Sequence, residues 1–145
     1  KTASNYSFLQ MVRPELEQAG ADEALLTDNH GYIVEATVAN IYVFKGNIAM
    51  TPPNDGSILP GITRQCIAEI LQNPKIAMNN GRVTTVVEKK ITRADLYTAD
   101  CVVLCGTYAE VVKVKEIDGR EIDGDDFYYK LLRKEYTRLV KGEGV

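Results

Sequence analysis

The chain has 145 residues, 45% of them hydrophobic, and a formal net charge of -3. That length suits one domain with its own core, and the acidic balance, with no basic block or basic helical face, argues against nucleic acid or an anionic membrane as the main partner. No apolar run approaches the roughly 20 residues needed to cross a bilayer, the first residues lack the apolar core of a signal peptide, and a cytoplasmic protein is expected.

Phe8, Leu9, Val12 and Leu16 recur at helical spacing and predict a first helix over 6–19, kinked or restarted at Pro14 and stopped at Gly20. Short apolar runs over 23–27 and 32–35 flank Asp28-Asn29-His30-Gly31, which reads as a hairpin turn with His30 an exposed loop residue. Residues 41–44 and 48–51 form a second hairpin around Lys45-Gly46-Asn47, and 51–61 is a loop rich in Pro, Asp and Gly of the kind that carries function.

Leu59-Pro60-Gly61-Ile62-Thr63-Arg64 then opens a helix over 62–71, with Ile67, Ile70 and Leu71 as its apolar face. A helix start leaves backbone N–H groups unpaired and carries the positive end of the helix dipole, so a glycine-flanked turn with a threonine suits a phosphate. Residues 72–82 are polar and turn-like, 83–88 read as a strand, and Thr92-Arg93-Ala94-Asp95 opens a short helix over 92–99 in the manner of a capping box.

Cys101 and Cys105 share the next strand, where four residues span roughly 13 Å, too far for a disulfide. With one histidine and three scattered cysteines, no metal site is expected. A strand over 111–116 runs into the turn Ile117-Asp118-Gly119-Arg120. The acidic run Asp123-Gly124-Asp125-Asp126 lacks the ligand pattern of an EF-hand and reads as a cap for a last helix over 127–140.

Five stretches carry a resemblance: Lys1-Thr2-Ala3-Ser4-Asn5-Tyr6, Asp22-Glu23-Ala24-Leu25-Leu26, Val34-Glu35-Ala36-Thr37-Val38-Ala39-Asn40-Ile41, Leu59-Pro60-Gly61-Ile62-Thr63-Arg64, and Gly106-Thr107-Tyr108-Ala109-Glu110. In their order and close to their spacing, the chain resembles the class IV, fold-type IV pyridoxal 5'-phosphate (PLP) enzymes, which include branched-chain and D-amino-acid aminotransferases and aminodeoxychorismate lyases.

The resemblance implies a role for each site residue. Lys1 matches the lysine that holds PLP as a Schiff base and shuttles the substrate α-proton, work that a lysine can do when its surroundings free its amine. Glu35 matches the carboxylate that keeps the pyridine nitrogen protonated through a charge-assisted hydrogen bond, and Tyr6 the tyrosine that donates to the cofactor's phenolic oxygen. Leu59 resembles the residue packed on the ring face. Gly61, Ile62 and Thr63 would bind the phosphate, and Thr107 would add a hydroxyl to the same cup. The turn Gly106-Thr107-Tyr108 would receive the substrate carboxylate on backbone N–H groups. Ala36 and Tyr108 depart from a common glycine and alanine of the family, and Tyr108 is large enough to narrow the pocket.

The fold so implied is α/β, a mixed α and β pseudo-barrel, with 1–145 as a single PLP-binding domain in which the named residues converge. The family carries a smaller N-terminal domain ahead of the lysine, so this chain is expected to be the C-terminal part of a longer protein, and a homodimer. Its implied activity is transamination between a branched-chain amino acid and 2-oxoglutarate. The alternatives are β-elimination on aminodeoxychorismate, with Thr37, Val38 and Tyr108 lining the pocket, and an inactive fragment that associates with a partner supplying the missing domain.

Overall fold

A computed structural model describes residues 3–122 and 124–143, with side chains from residue 10 onward, and begins with helix α1 (Ala3–Ala19). The helix continues through Pro14, so the expected restart does not occur, and Gly20 ends it in the left-handed conformation at φ 64°. Next comes a hairpin of β1 (Leu25–Thr27) antiparallel to β2 (Ile33–Ala36). Asp28 closes the turn by accepting from the His30 and Tyr32 N–H groups at 2.8 and 3.0 Å, and His30 is exposed there as expected.

β3 (Asn40–Lys45) and β4 (Ile48–Thr51) make the second expected hairpin. The chain then crosses through α2 (Ile62–Gln72) and α3 (Pro74–Asn80) to β5 (Thr85–Glu88), which lies parallel to β4. α3 replaces the turn expected over 72–82. Asn73 caps it by accepting from the Lys75 and Ile76 N–H groups, Pro74 is its first residue, and Gly81 ends it at φ 68°. With Ile76 its buried residue, α3 shows almost no apolar periodicity, and these end signals were the ones to read.

α4 (Arg93–Tyr97) starts with the capping box expected at Thr92 and Asp95. β6 (Cys101–Gly106) pairs antiparallel with β3, and β7 (Glu110–Lys113) with β6, giving the order β5-β4-β3-β6-β7. The single strand expected over 111–116 is instead divided between β7 and a small hairpin of β8 (Glu116–Ile117) and β9 (Arg120–Glu121). α5 (Phe127–Val140) is the last element.

β3 and β6 are apolar at nearly every position because both faces of the sheet are covered. Their alternation sends Tyr42, Phe44, Cys101, Val103 and Cys105 to one face, against Ile67 and Ile70 of α2 and Tyr128 and Leu132 of α5. Ile41, Val43, Val102 and Leu104 point the other way, against Ile33, Ile91, Leu96, Ile117 and Ile122. Phe44 stacks on Tyr128 with ring centroids 4.3 Å apart, which fastens α5 to the sheet. The three cysteines are free, and burial pushes the Cys101 thiol up to about 11 and the Cys105 thiol to about 12.

At the start of α5, the N-cap Asp126 makes no side-chain cap bond, and Asp125, one residue earlier, accepts from the Phe127 N–H at 2.8 Å, so the acidic run meets the capping role only in part. α5 also corrects an expectation, since Lys130, Arg133, Lys134, Arg138 and Lys141 line one outer groove and form a basic helical face. Several of these charges are answered locally, Lys130 by Asp126 and both Lys134 and Arg138 by the buried Glu135. Among the described residues, no helix is long and apolar enough to cross a membrane and no group of His, Cys, Asp and Glu is disposed to hold a metal.

Candidate functional site

Glu35, half-buried near the end of β2, is held from two directions. Its Oε2 accepts from Asn40 Nδ2 at 3.1 Å and from the Leu59 N–H at 3.0 Å, and Asn40 Nδ2 also donates to the Leu59 carbonyl at 2.9 Å. Asn40 is only 5% exposed and opens the central strand, where it pairs with Cys105. One amide thus ties a hairpin strand, the sheet and the long loop together. Burial pushes the Glu35 carboxyl above the usual carboxylate range, and the Leu59 N–H opposes the shift.

The loop can lie this close only because residue 61 is glycine. A Cβ there would stand 2.2 Å from Asn40 Oδ1. Gly61 is the N-cap of α2 and has no side chain to satisfy the first-turn N–H groups, so Ile62 and Thr63 present theirs uncapped at the positive end of an 11-residue helix.

Arg64 fixes where that helix end points. Its Nη2 donates to the Pro52 carbonyl at 2.9 Å and to Glu88 Oε1 at 2.7 Å, and its Nε to Thr51 Oγ1 at 3.3 Å. The Tyr42 hydroxyl donates to its backbone carbonyl at 2.9 Å. Thr51 and Glu88 are the last residues of β4 and β5, so the start of α2 is bolted to the carboxyl ends of the parallel pair.

A second turn flanks this one. Gly106, at the end of β6, follows the Cys105 that pairs with Asn40, and a Cβ on it would lie 3.1 Å from the Val38 carbonyl. The turn beyond it exposes Thr107 and leaves Tyr108 95% exposed, and Glu110 closes it at φ 52°. On the facing β2–β3 turn, the Thr37 hydroxyl and its N–H both donate to Glu23 Oε1.

The structure therefore brings Glu35, Leu59 and Gly61 together through Asn40, sets Ile62 and Thr63 on the first turn of α2, and puts Gly106, Thr107 and Tyr108 on the turn next to Asn40. Leu59 and Ile62 are exposed and Thr63 is buried. Lys1 lies outside the described residues; Tyr6 belongs to α1, and its side chain lies outside them.

Sequence reasoning singled out neither Asn40 nor Arg64 as a site residue. A lone amide opening the apolar run Ile41-Tyr42-Val43-Phe44 was a usable signal for the first. Arg64 carried none, since its acceptors come from two strands and a loop. Chemically, the site joins a carboxylate fixed through one oxygen to a helix end that favours an anion.

The family described as amino-transferase class IV matches residues 1–117. A relative named "Probable branched-chain-amino-acid aminotransferase" from Aquifex aeolicus is 37% identical over 145 residues, covering 99% of this chain and 44% of its own. The branched-chain aminotransferase of Thermoproteus uzoniensis, solved with norvaline, is 36% identical at a TM-score of 0.75, covering 91% of this chain and 41% of that one. The branched-chain amino acid aminotransferase of Thermobaculum terrenum, solved in its PLP-bound holo-form, is 27% identical at a TM-score of 0.84, covering 98% and 45%. The chain thus spans less than half the length of these relatives.

Proposed function

We propose that this chain, which belongs to the class IV aminotransferases, is the cofactor-binding part of a PLP-dependent enzyme that moves an amino group between a branched-chain amino acid and 2-oxoglutarate. The observation that carries this reading is Glu35 Oε2 held by Asn40 and Leu59 beside the uncapped start of α2. A carboxylate and an anion cradle side by side suit a ligand that is cationic at one end and anionic at the other, which protonated PLP is. Gly61 supports the fit, since a side chain there would displace Asn40.

When bound, PLP supplies an electron sink for the charge left on the substrate α-carbon. The chain's own residues would do the rest. Glu35 keeps a proton on the pyridine nitrogen, and no described donor occupies its Oε1. The Ile62 and Thr63 N–H groups, with the Thr63 and Thr107 hydroxyls, hold the phosphate while Leu59 covers the ring face. Tyr6 donates to the phenolic oxygen. Lys1 would hold the cofactor at its aldehyde end, its amine replacing the aldehyde oxygen, which leaves as water, and would move the proton at the substrate α-carbon. The turn Gly106-Thr107-Tyr108 receives the substrate carboxylate, and Tyr108 limits the side chain that fits beside it.

The reading includes an N-terminal domain that closes the pocket and a cytoplasmic homodimer. The share of the relatives' length that this chain covers supports the extra domain. Adding PLP, reducing with borohydride and mapping the adduct by mass spectrometry tests the whole. An adduct on the Lys1 side chain, lost in Lys1→Ala, is expected. Label scattered over other lysines would overturn the assignment. Oxo-acid-dependent consumption of leucine, without pyruvate release from aminodeoxychorismate, separates transamination from elimination.

A further inference from the structure

Thr63 is the second residue of α2 and is only 5% exposed, so its hydroxyl needs a partner inside the protein. A helical threonine ordinarily turns to the carbonyl three or four residues back. Here those residues are Pro60 and Leu59, and the Leu59 carbonyl already accepts from Asn40 Nδ2 at 2.9 Å and from the Gly61 N–H at 2.8 Å, which fills both its lone pairs. Thr63 Oγ1 instead lies 3.4 Å from the hydroxyl of Tyr136, a residue 73 positions further along that packs partly buried against the core under α5.

We propose that Tyr136 is a positioning residue for the phosphate end of the cofactor, its hydroxyl donating to Thr63 Oγ1 so that the Thr63 proton is left for a phosphate oxygen. The inference rests on the reading of Thr63 as a phosphate ligand. A hydroxyl has one proton and two acceptor lone pairs. If Thr63 spent its proton on Tyr136, an arriving phosphate would meet a lone pair and be repelled. With Tyr136 as donor, Thr63 becomes a donor of fixed direction at a helix end that already favours negative charge. The separation of 3.4 Å is long for an O–H···O bond, and such contacts shorten when a site fills. α5 thereby acts on the cofactor site without touching the ligand.

The test is equilibrium dialysis of the protein against PLP and, separately, against pyridoxal, which lacks only the phosphate, for wild type, Tyr136→Phe, Thr63→Val and the double variant. Tyr136→Phe is expected to weaken PLP about 3- to 10-fold, as the loss of one hydrogen bond does, and to leave pyridoxal unchanged. The double variant is expected to bind PLP no more weakly than Thr63→Val alone. If Tyr136→Phe weakens both vitamers equally, its role is structural and the proposal is overturned. If Thr63→Val lowers the preference for PLP over pyridoxal while Tyr136→Phe does not, the proposal falls and the phosphate site stands. If Thr63→Val leaves that preference intact, the phosphate reading itself falls.

Discussion

Gly61 and Asn40 approach so closely that a Cβ on the first would stand 2.2 Å from Oδ1 of the second. The amide cannot swing away cheaply, because its nitrogen is bonded to both Glu35 and Leu59. Gly61→Ala should therefore destabilise the fold by about 1–3 kcal/mol, the usual result of overpacking a tight site, and weaken PLP binding. Thermal unfolding with and without PLP measures both effects.

Asn40→Ala removes two hydrogen bonds at once and leaves the half-buried Glu35 with the Leu59 N–H as its described donor. A loss of roughly 1–3 kcal/mol is expected, together with a further rise of the Glu35 pKa, since one of its anion-stabilising contacts goes. Carbon-detected NMR titration of the carboxyl reads the rise directly.

Glu35 also makes a pH prediction. Its folded carboxyl titrates above the unfolded value because burial outweighs the Leu59 N–H, so over that interval the folded protein binds more protons than the unfolded one. Stability from this group is greatest at acid pH and falls as pH rises from the ordinary glutamate range through the raised folded value. Glu35→Gln should remove that descending segment from a denaturation series. An unchanged slope would contradict the assignment.

Arg64 and Glu88 should respond unequally although they form one ion pair. The Arg64 side chain is 11% exposed and the Glu88 side chain 51%. Arg64→Ala orphans acceptors on Thr51, Pro52 and Glu88, the first of them buried, and releases the start of α2, at roughly 2–5 kcal/mol. Glu88→Ala leaves the buried Arg64 its other two acceptors but no counter-charge, at roughly 1–3 kcal/mol. Urea unfolding of the two variants compares them.

Thiol labelling checks the core. Cys101 and Cys105 are fully buried with thiols pushed up to about 11 and about 12, whereas Cys66 is partly exposed. Partial burial raises the Cys66 thiol as well, so iodoacetamide at neutral pH should label Cys66 alone and slowly in the native protein, through its exposure, and all three cysteines in denaturant, because the thiolate is the reacting species. Intact mass counts the labels.

Most elements were legible in the sequence because each is decided locally. Short continuous apolar runs give β3 and β6, the first beside the turn Lys45-Gly46-Asn47, while Gly61 and the spacing of Ile67, Ile70 and Leu71 give α2, and Thr92 with Asp95 gives α4. α3 was missed since its evidence lay in its ends, Asn73, Pro74 and Gly81, and hardly in its interior. The basic face of α5 was missed because its cations become one surface only after the helix is wound.

By itself the sequence determined most of the strands and the uncapped helix start, which depend on residues near one another in the chain, and the family, which rests on five short stretches each legible by itself. Tertiary structure alone decided that β5 runs parallel to β4, that Arg64 meets Thr51 and Glu88, that Asn40 binds Glu35 to Leu59, and that Tyr136 reaches Thr63. These contacts join residues up to 73 positions apart. No local pattern encodes such a pairing, because each partner's own stretch is equally content with other neighbours until burial of both faces of the sheet leaves one arrangement that satisfies every polar group.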